Sequence, residues 1–362
     1  MNKFRGFDYG ALARAMAIGA VGGAIFAWLN TPLAWMIGAM CATTIASVSG
    51  VNVKMLPSLR QFMIAVLGVM LGSASHPEIV EQMARWSLSL GVLFLYMLLI
   101  TGLVMLYFRK VMHYDATTAY FSAIPGGLNE MVLIGGASGG DDRTIALTHA
   151  SRILLVVMVI PFWFRLVEGY QPSASSAGAP FADIPAVDLG IMVLCGVVGF
   201  FLARVVKVPA PALIGPMVLS AAAHLTGATM SRPPVELINI AQVVVGVGIG
   251  CRFAGVAISR LARAIAAAAG STVIMLGSAV AFAVAIHAMI GLPAEALVLA
   301  FAPGGLTEMT LIALSLDIDP AFVSSHHVVR IFLVVVLAPL AFKLLASRLG
   351  VGAGSKLTLK TF

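Results

Sequence analysis

Apolar residues recur along this chain in stretches long enough to cross a membrane. They predict helices over roughly 11–29, 31–49, 61–75, 86–108, 144–164, 187–203, 210–228, 235–251, 264–290 and 322–345. Two further apolar stretches, 116–138 and 294–316, are interrupted at their centres by Pro-Gly-Gly. Of the segments in between, only 169–186 reads as a linker, being rich in Ser, Pro and Ala from Tyr170 onward.

Composition fixes the solvent. Of 362 residues, 60% are hydrophobic and 10% charged, against the ~25% charged of a soluble domain. So few charges do not cover a water-facing globule of this size. The chain is therefore expected to be an all-α polytopic membrane protein. Soluble enzymes, nucleic-acid-binding modules and secreted disulfide scaffolds are excluded as descriptions of the whole chain. The net charge of +7 then reports cytoplasmic loops held by the positive-inside rule. Cys41, Cys195 and Cys251 are isolated and read as packing residues. Lys3, Arg5 and Arg14 precede an apolar run that leads straight into a second span at Thr31, which predicts an uncleaved first helix.

The chain is also a duplication. A shift of 178 residues superposes Pro125-Gly126-Gly127-Leu128 on Pro303-Gly304-Gly305-Leu306, then Glu130-Met131 on Glu308-Met309. Asp141 meets Asp319, His149 meets His327, Arg152 meets Arg330 and Pro161 meets Pro339. From Pro125 to Pro161, 16 of 37 positions are identical. Upstream, Gly68 and Gly72 match Gly246 and Gly250, and one residue of slippage aligns Ile37-Gly38 with Ile214-Gly215. The organisation expected is a first membrane repeat over 1–168, the linker 169–186, a second repeat over 187–350 and a tail over 351–362.

Loop charges orient the repeats. If each Pro-Gly-Gly segment enters and leaves on one side, each half crosses five times and the halves are inverted. Seventeen Lys and Arg residues then lie inside and three outside, with Arg152 and Arg330 within spans. Full crossing of the broken segments makes the halves parallel and degrades that tally to 13 against 7. The inverted arrangement puts both termini in the cytoplasm and the linker outside.

Pro-Gly-Gly at mid-depth is tolerated only beside protein or a water-filled cavity. Proline stops the first half-helix, and the glycines permit a sharp reversal. Broken segments at matching places in two repeats point to the binding site of a transporter. A bare packing hairpin is the bland alternative. Glu130 and Glu308 fall in the first turn of the second half-helices, where the helix dipole favours a carboxylate. Asn129 and Thr307 precede them and offer hydrogen bonds to a solute. Arg152 and Arg330 each follow a histidine at i+3, His149 and His327. Arginine suits a fixed counter-charge or anion binding, and histidine a proton pathway. A static Glu–Arg lock is the structural alternative. Asp141, Asp142, Asp317 and Asp319 read as solvated or capping residues, and the Gly68-xxx-Gly72 and Gly246-xxx-Gly250 pairs as close helix contacts.

The duplicated Pro-Gly-Gly-Leu-x-Glu-Met motif, Pro125–Met131 and Pro303–Met309, resembles the bacterial AbrB family of membrane proteins, over almost the whole chain. The resemblance implies a multi-pass protein of the bacterial inner membrane. Family labels include transporter, ammonia monooxygenase and regulator of gene expression. The basic residues lie in short loops, with no soluble domain to read a groove, so nucleic acid is not an expected partner. Seven scattered histidines supply no oxygenase ligand set, so no enzyme activity and no metal are expected. The function expected is a secondary, ion-coupled transporter of a small solute, working by alternating access. Its site comprises Pro125, Gly126, Gly127, Asn129, Glu130, Pro303, Gly304, Gly305, Thr307, Glu308, His149, Arg152, His327 and Arg330. The arginines favour an anionic solute, coupled to a proton or sodium ion, with no other cofactor. The bilayer is the surrounding partner, and a homo-oligomer is open. A membrane-embedded sensory or regulatory protein is the competing reading.

Overall fold

A computed structural model of the chain describes residues 7–75, 86–167, 169 and 178–346. The basic residues Lys3, Arg5, Arg85, Arg348, Lys356 and Lys360, residues 170–177 of the linker and the tail lie outside the described residues. The described residues form fourteen α-helices and no strand. The first seven are α1 (Tyr9–Trp28), α2 (Ala34–Val48), α3 (Pro57–Gly72), α4 (Trp86–Lys110), α5 (Ala116–Ala123), α6 (Leu128–Ala137) and α7 (Asp142–Leu166). The next seven are α8 (Ala186–Val205), α9 (Pro211–Leu225), α10 (Val235–Gly250), α11 (Ile258–Ile290), α12 (Ala294–Phe301), α13 (Leu306–Ser315) and α14 (Pro320–Ala346). Shifted by 178 residues, both ends of α3, α5 and α6 land on those of α10, α12 and α13. Shifted by 177, both ends of α1 and α2 land on those of α8 and α9. Each sequence half thus holds five helices and an interrupted pair.

Seven segments are long and apolar enough to cross a membrane: α1, α4, α7, α8, α11, α14, and α10 with the 3₁₀ turn that follows it. Large apolar side chains such as Leu98 on α4, Leu194 on α8 and Phe332 on α14 are exposed. A soluble protein does not present apolar faces on this scale, so the chain is an all-α polytopic membrane protein. The helices α2, α3 and α9 have only 15, 16 and 15 residues, and α2 and α9 are shorter than the sequence expectation. They rise only ~22–24 Å against a ~30 Å hydrocarbon core. Backbone geometry gives the reason at α2 and α9. Their N-caps, Leu33 and Ala210, are left-handed at φ 47° and 48°, so each helix starts only after the preceding turn. A 3₁₀ turn forms at Phe181–Asp183, where Phe181 N–H donates to Glu236 Oε2 at 3.1 Å, and α8 begins at Ala186.

The helices pack as two compact units, and neither is a sequence half. One holds α1–α3, α8–α10, α7 from Val157 onward and the segment Thr310–Ala321. The other holds α4–α6, α7 through Val156, α11 from Ser259, α12, the start of α13, and α14 from Phe322. Each is drawn from both repeats.

In the first unit, small residues let backbones touch. A β-carbon at Gly246 would collide with Met36 O, and one at Gly72 with Met217 O. The two Gly-xxx-Gly pairs therefore press α10 onto α2 and α3 onto α9, as their spacing predicts. Ser220 Oγ donates to Val69 O at 2.7 Å across the second contact, and Ser47 Oγ to Gly250 O at 3.0 Å across the first. Cys251 and Cys195 sit in the apolar clusters of this unit.

The second unit is filled by aromatic rings. Tyr96 meets Phe301 and Phe282 edge-on at centroid distances of 5.1 and 5.4 Å, and Phe342 packs on Tyr120 and Phe121 at 5.3 and 5.0 Å. The buried hydroxyls have partners: Tyr96 donates to Met275 O at 3.1 Å and Tyr120 to Ala338 O at 2.9 Å.

Candidate functional site

Both interruptions lie in the second unit. Pro125 forces the residue before it out of helical geometry. Accordingly α5 stops at Ala123, and Ile124 is extended at φ −65°, ψ 125°. Pro303 does the same to Ala302, at φ −56°, ψ 143°, and ends α12 at Phe301. The chain restarts as helix at Leu128 and Leu306.

The last carbonyls of α5 and α12 have lost their helical donors. Side chains at matching positions of the following long helix supply new ones: the histidines meet matching carbonyls in the two repeats, whereas the arginines share only the Ile124/Ala302 position. His149 Nε2 faces Phe121 O at 2.9 Å, and Arg152 donates to Ser122 O and Ile124 O, both at 3.4 Å. At the second break His327 Nε2 faces Leu299 O at 3.0 Å, and Arg330 donates to Ala302 O and Gly304 O, both at 2.6 Å. Each arginine also donates to Nδ1 of its histidine at 2.8 Å. A carbonyl only accepts and a guanidinium only donates, which fixes both imidazoles as neutral Nε2–H tautomers. The i,i+3 spacing legible in the sequence is thus a helix-end clamp. Among the described residues neither guanidinium has a carboxylate partner, so the static Glu–Arg lock does not form. Each cation instead sits on the negative end of a half-helix.

The glutamates occupy the opposite pole. Glu130 and Glu308 are third residues of α6 and α13 and fold back over the glycine at the helix entry. A β-carbon at Gly127 would collide with Glu130 Oε2, and one at Gly305 with Glu308 Oε2. This is the reach of a capping-box glutamate, at the positive dipole end. Glycine is needed here for room. None of Gly126, Gly127, Gly304 and Gly305 is left-handed, so the reversal is made without positive φ. Gly126 admits Val334 Cγ1 and Gly304 admits the Met309 side chain, where a β-carbon would lie at 2.5 Å from each.

The two breaks differ in access. Asn129 and Glu130 are exposed, whereas Thr307 and Glu308 are buried at 9% and 5% exposure. Pro125 and Pro303, His149 and His327, Arg152 and Arg330 are all buried. Among the described residues, Arg152 Nε, Arg330 Nε and the hydroxyls of Ser122, Ser151 and Thr272 are buried polar atoms with no hydrogen-bond partner. Among the described residues no three His, Cys, Asp or Glu side chains come together as metal ligands. Asp141 and Asp319 cap helices. Asp141 accepts from Arg143 N–H, Thr144 N–H and the Thr144 hydroxyl, and Asp319 from Ala321 N–H.

Sequence reasoning passed over Tyr96, whose hydroxyl bonds the carbonyl of the methionine that Arg152 touches through sulfur at 3.8 Å. It lies within electrostatic reach of both guanidinium groups. A single phenol in the apolar run of α4 was the available signal. His326 gives a second case: its Nδ1 faces Phe322 O and its Nε2 faces Ser89 Oγ at 2.9 Å, tying α14 to α4.

The model of the family described as "Transition state regulatory protein AbrB" matches residues 35–346. The chain belongs to the AbrB family. Among its AbrB relatives, the Bacillus subtilis (strain 168) protein named "Uncharacterized protein YhjN" is 29% identical over 359 residues, covering 91% of this chain and 92% of that one. The Escherichia coli (strain K12) protein named "Putative regulator AbrB" is 23% identical over 315 residues, covering 87% of this chain and 90% of that one.

Proposed function

We propose that the protein is a secondary transporter in the bacterial inner membrane, built from two inverted repeats and moving a small solute by alternating access. The observation that carries this reading is the matched pair of interrupted helices. Each has a carboxylate at the start of its second half-helix and a guanidinium at the end of its first, with Glu130 exposed and Glu308 buried. Two equivalent sites in unequal states of access are what a protein caught on one side of a transport cycle presents.

The solute is anionic. Among the described residues Arg152 and Arg330 have no carboxylate counter-charge, and their Nε–H groups still have a hydrogen bond to give. Both histidines are held neutral by the clamp, so coupling to a proton or sodium ion falls to the glutamates. Pro125, Gly126, Gly127, Asn129 and Glu130 form one face of the site and Pro303, Gly304, Gly305, Thr307 and Glu308 the other.

The test is uptake of small carboxylates by proteoliposomes, at two pH values and with and without sodium. Glu130→Gln is expected to fold and to lose the ion dependence of uptake. A second reading, a membrane-embedded regulator, takes its support from the name of the Escherichia coli relative. Absence of uptake and of any solute-induced thermal shift across such a panel would favour it.

A further inference from the structure

The first unit holds a cavity of about 480 Å³ that has no part in the interrupted helices. It runs between α3, α8 and the start of α10. Its lining on α8 recurs at helical spacing, from Leu189 through Met192, Gly196 and Phe200 to Arg204, so one whole face of the helix forms the wall. Phe62, Val193, Val197 and Phe201 stand exposed along it, so it is open to the bilayer side.

Its polarity is one-ended. Ser58, Gln61 and Arg204 gather at one end, while Leu189, Pro233, Pro234 and Leu237 close the other with no polar side chain. The apolar stretch from Leu189 to Phe201 rises ~18 Å along α8, close to the ~15 Å of hydrocarbon in one leaflet. A small polar solute does not fit such a wall, and a neutral lipid leaves the guanidinium without a partner. Lys207 adds a second cation just past the end of α8. The charge is not a by-product of the duplication, because Ala27 stands at the matching place in the first repeat. Gly196 keeps the wall open at mid-length. A β-carbon there would meet only Val69 Cγ2, at 3.7 Å, so a side chain could be added without a clash.

We propose that this groove seats one acyl chain of an anionic phospholipid, with the lipid phosphate on Arg204 beside Ser58 and Gln61. The proposal is independent of the transport reading.

It is tested on delipidated, detergent-purified protein by thermal unfolding, with phosphatidylglycerol or phosphatidylcholine of identical chains added. Phosphatidylglycerol is expected to raise the midpoint by roughly 2–4 °C and phosphatidylcholine by much less. Arg204→Gln should remove the difference between the two lipids, and Arg204→Lys should keep most of it. Gly196→Leu, which fills the groove, should remove the response to both. Native mass spectrometry of the unmodified protein should retain phosphatidylglycerol preferentially, a readout that does not depend on any variant folding. Equal responses to the two lipids, or an undiminished response in Gly196→Leu, would overturn the proposal. A lipid-free dimer that Gly196→Leu disperses would also overturn it, assigning the groove to a second copy of the chain.

Discussion

Arg330 donates to the carbonyl of Gly304 at 2.6 Å, tying the long helix α14 to the residue between the two halves of the interrupted pair. The equivalent cation, Arg152, reaches its two carbonyls only at 3.4 Å. The second clamp is therefore the tighter one. Lysine keeps the charge but not the planar fork, so it serves one carbonyl at a time. Arg330→Lys should cost about 1–3 kcal/mol through the abandoned buried acceptor. Arg152→Lys should cost less, since bonds of that length are already weak. Thermal unfolding of the two variants in one detergent checks the order, and equal losses would contradict it.

Gly127 sits at φ −63°, ψ 130°, a conformation open to any residue. Alanine there meets the carboxylate of Glu130 and no backbone strain. Gly127→Ala should stay folded, losing at most about 1 kcal/mol at the helix cap. It should nevertheless impair ion-dependent uptake, because the carboxylate is displaced. In a Glu130→Ala background the same glycine change should do nothing further, the non-additivity expected of two residues acting through one group. An additive loss would mean that Gly127 acts on something other than Glu130.

The helices and both breaks were legible because length, apolar runs and Pro-Gly-Gly act locally. So were the Asp141 cap and the Gly68–Gly72 contact, whose spacings carry their own geometry. The partners of Arg152 and Arg330 were not. Spacing puts an arginine on a helix face, but whether it meets a carboxylate or a helix-end carbonyl depends on which helix lies opposite. The role of Gly127 was hidden for a related reason: the backbone does not need glycine there, and only the fold-back of Glu130 does. The packing units were hidden as well, since a repeat boundary in sequence says nothing of how α2, besides packing on α1, comes to pack on α10 of the other repeat.

Close packing in the first unit separates two glycines that look alike in sequence. Gly246 faces the backbone of α2, where a β-carbon would collide with Met36 O, whereas nothing lies within 4 Å of a β-carbon at Gly277. Gly246→Ala should destabilise by about 1–3 kcal/mol, because a backbone atom cannot move aside as a side chain does. Gly277→Ala should be neutral or stabilising by up to about 1 kcal/mol, from helix propensity alone. Unfolding midpoints in detergent decide the case, and a tolerated Gly246→Ala would loosen the α2–α10 contact described above.

Acid should weaken the entry to α7 through Asp141. The Thr144 hydroxyl holds the Asp141 carboxyl below its usual value of 3.8, with burial opposing and backbone N–H groups assisting. A carboxyl depressed in the folded state stabilises fully above its unfolded value. That contribution is lost as pH falls through the folded value, so the window lies below about pH 4. Asn still caps a helix but does not titrate. Asp141→Asn should thus match the parent near neutral pH and show a smaller drop in unfolding midpoint below pH 4. An identical acid profile would remove Asp141 from the acid response.

The inverted arrangement proposed above makes a definite statement about sidedness. If the positive-inside count orients the chain, the turn after α4, carrying Arg109 and Lys110, faces the cytoplasm, and the turn after α9, before Arg232, faces outward. Val111 and Met230 mark these turns and are 60% and 82% exposed, so a thiol at either place is reachable from its own side. With Cys41, Cys195 and Cys251 replaced, Met230→Cys should react with a membrane-impermeant thiol reagent in intact cells. Val111→Cys should react only after lysis. Because the two positions belong to different repeats, parallel repeats with fully crossing interruptions change the outcome rather than merely weaken it. Each half then crosses six times, so with the N-terminus inside both halves begin on the cytoplasmic side. The turn after α4 keeps its side, and the turn after α9 moves to the cytoplasm. Labelling of neither position in intact cells, with both reacting on lysis, would replace the inverted arrangement with the parallel one.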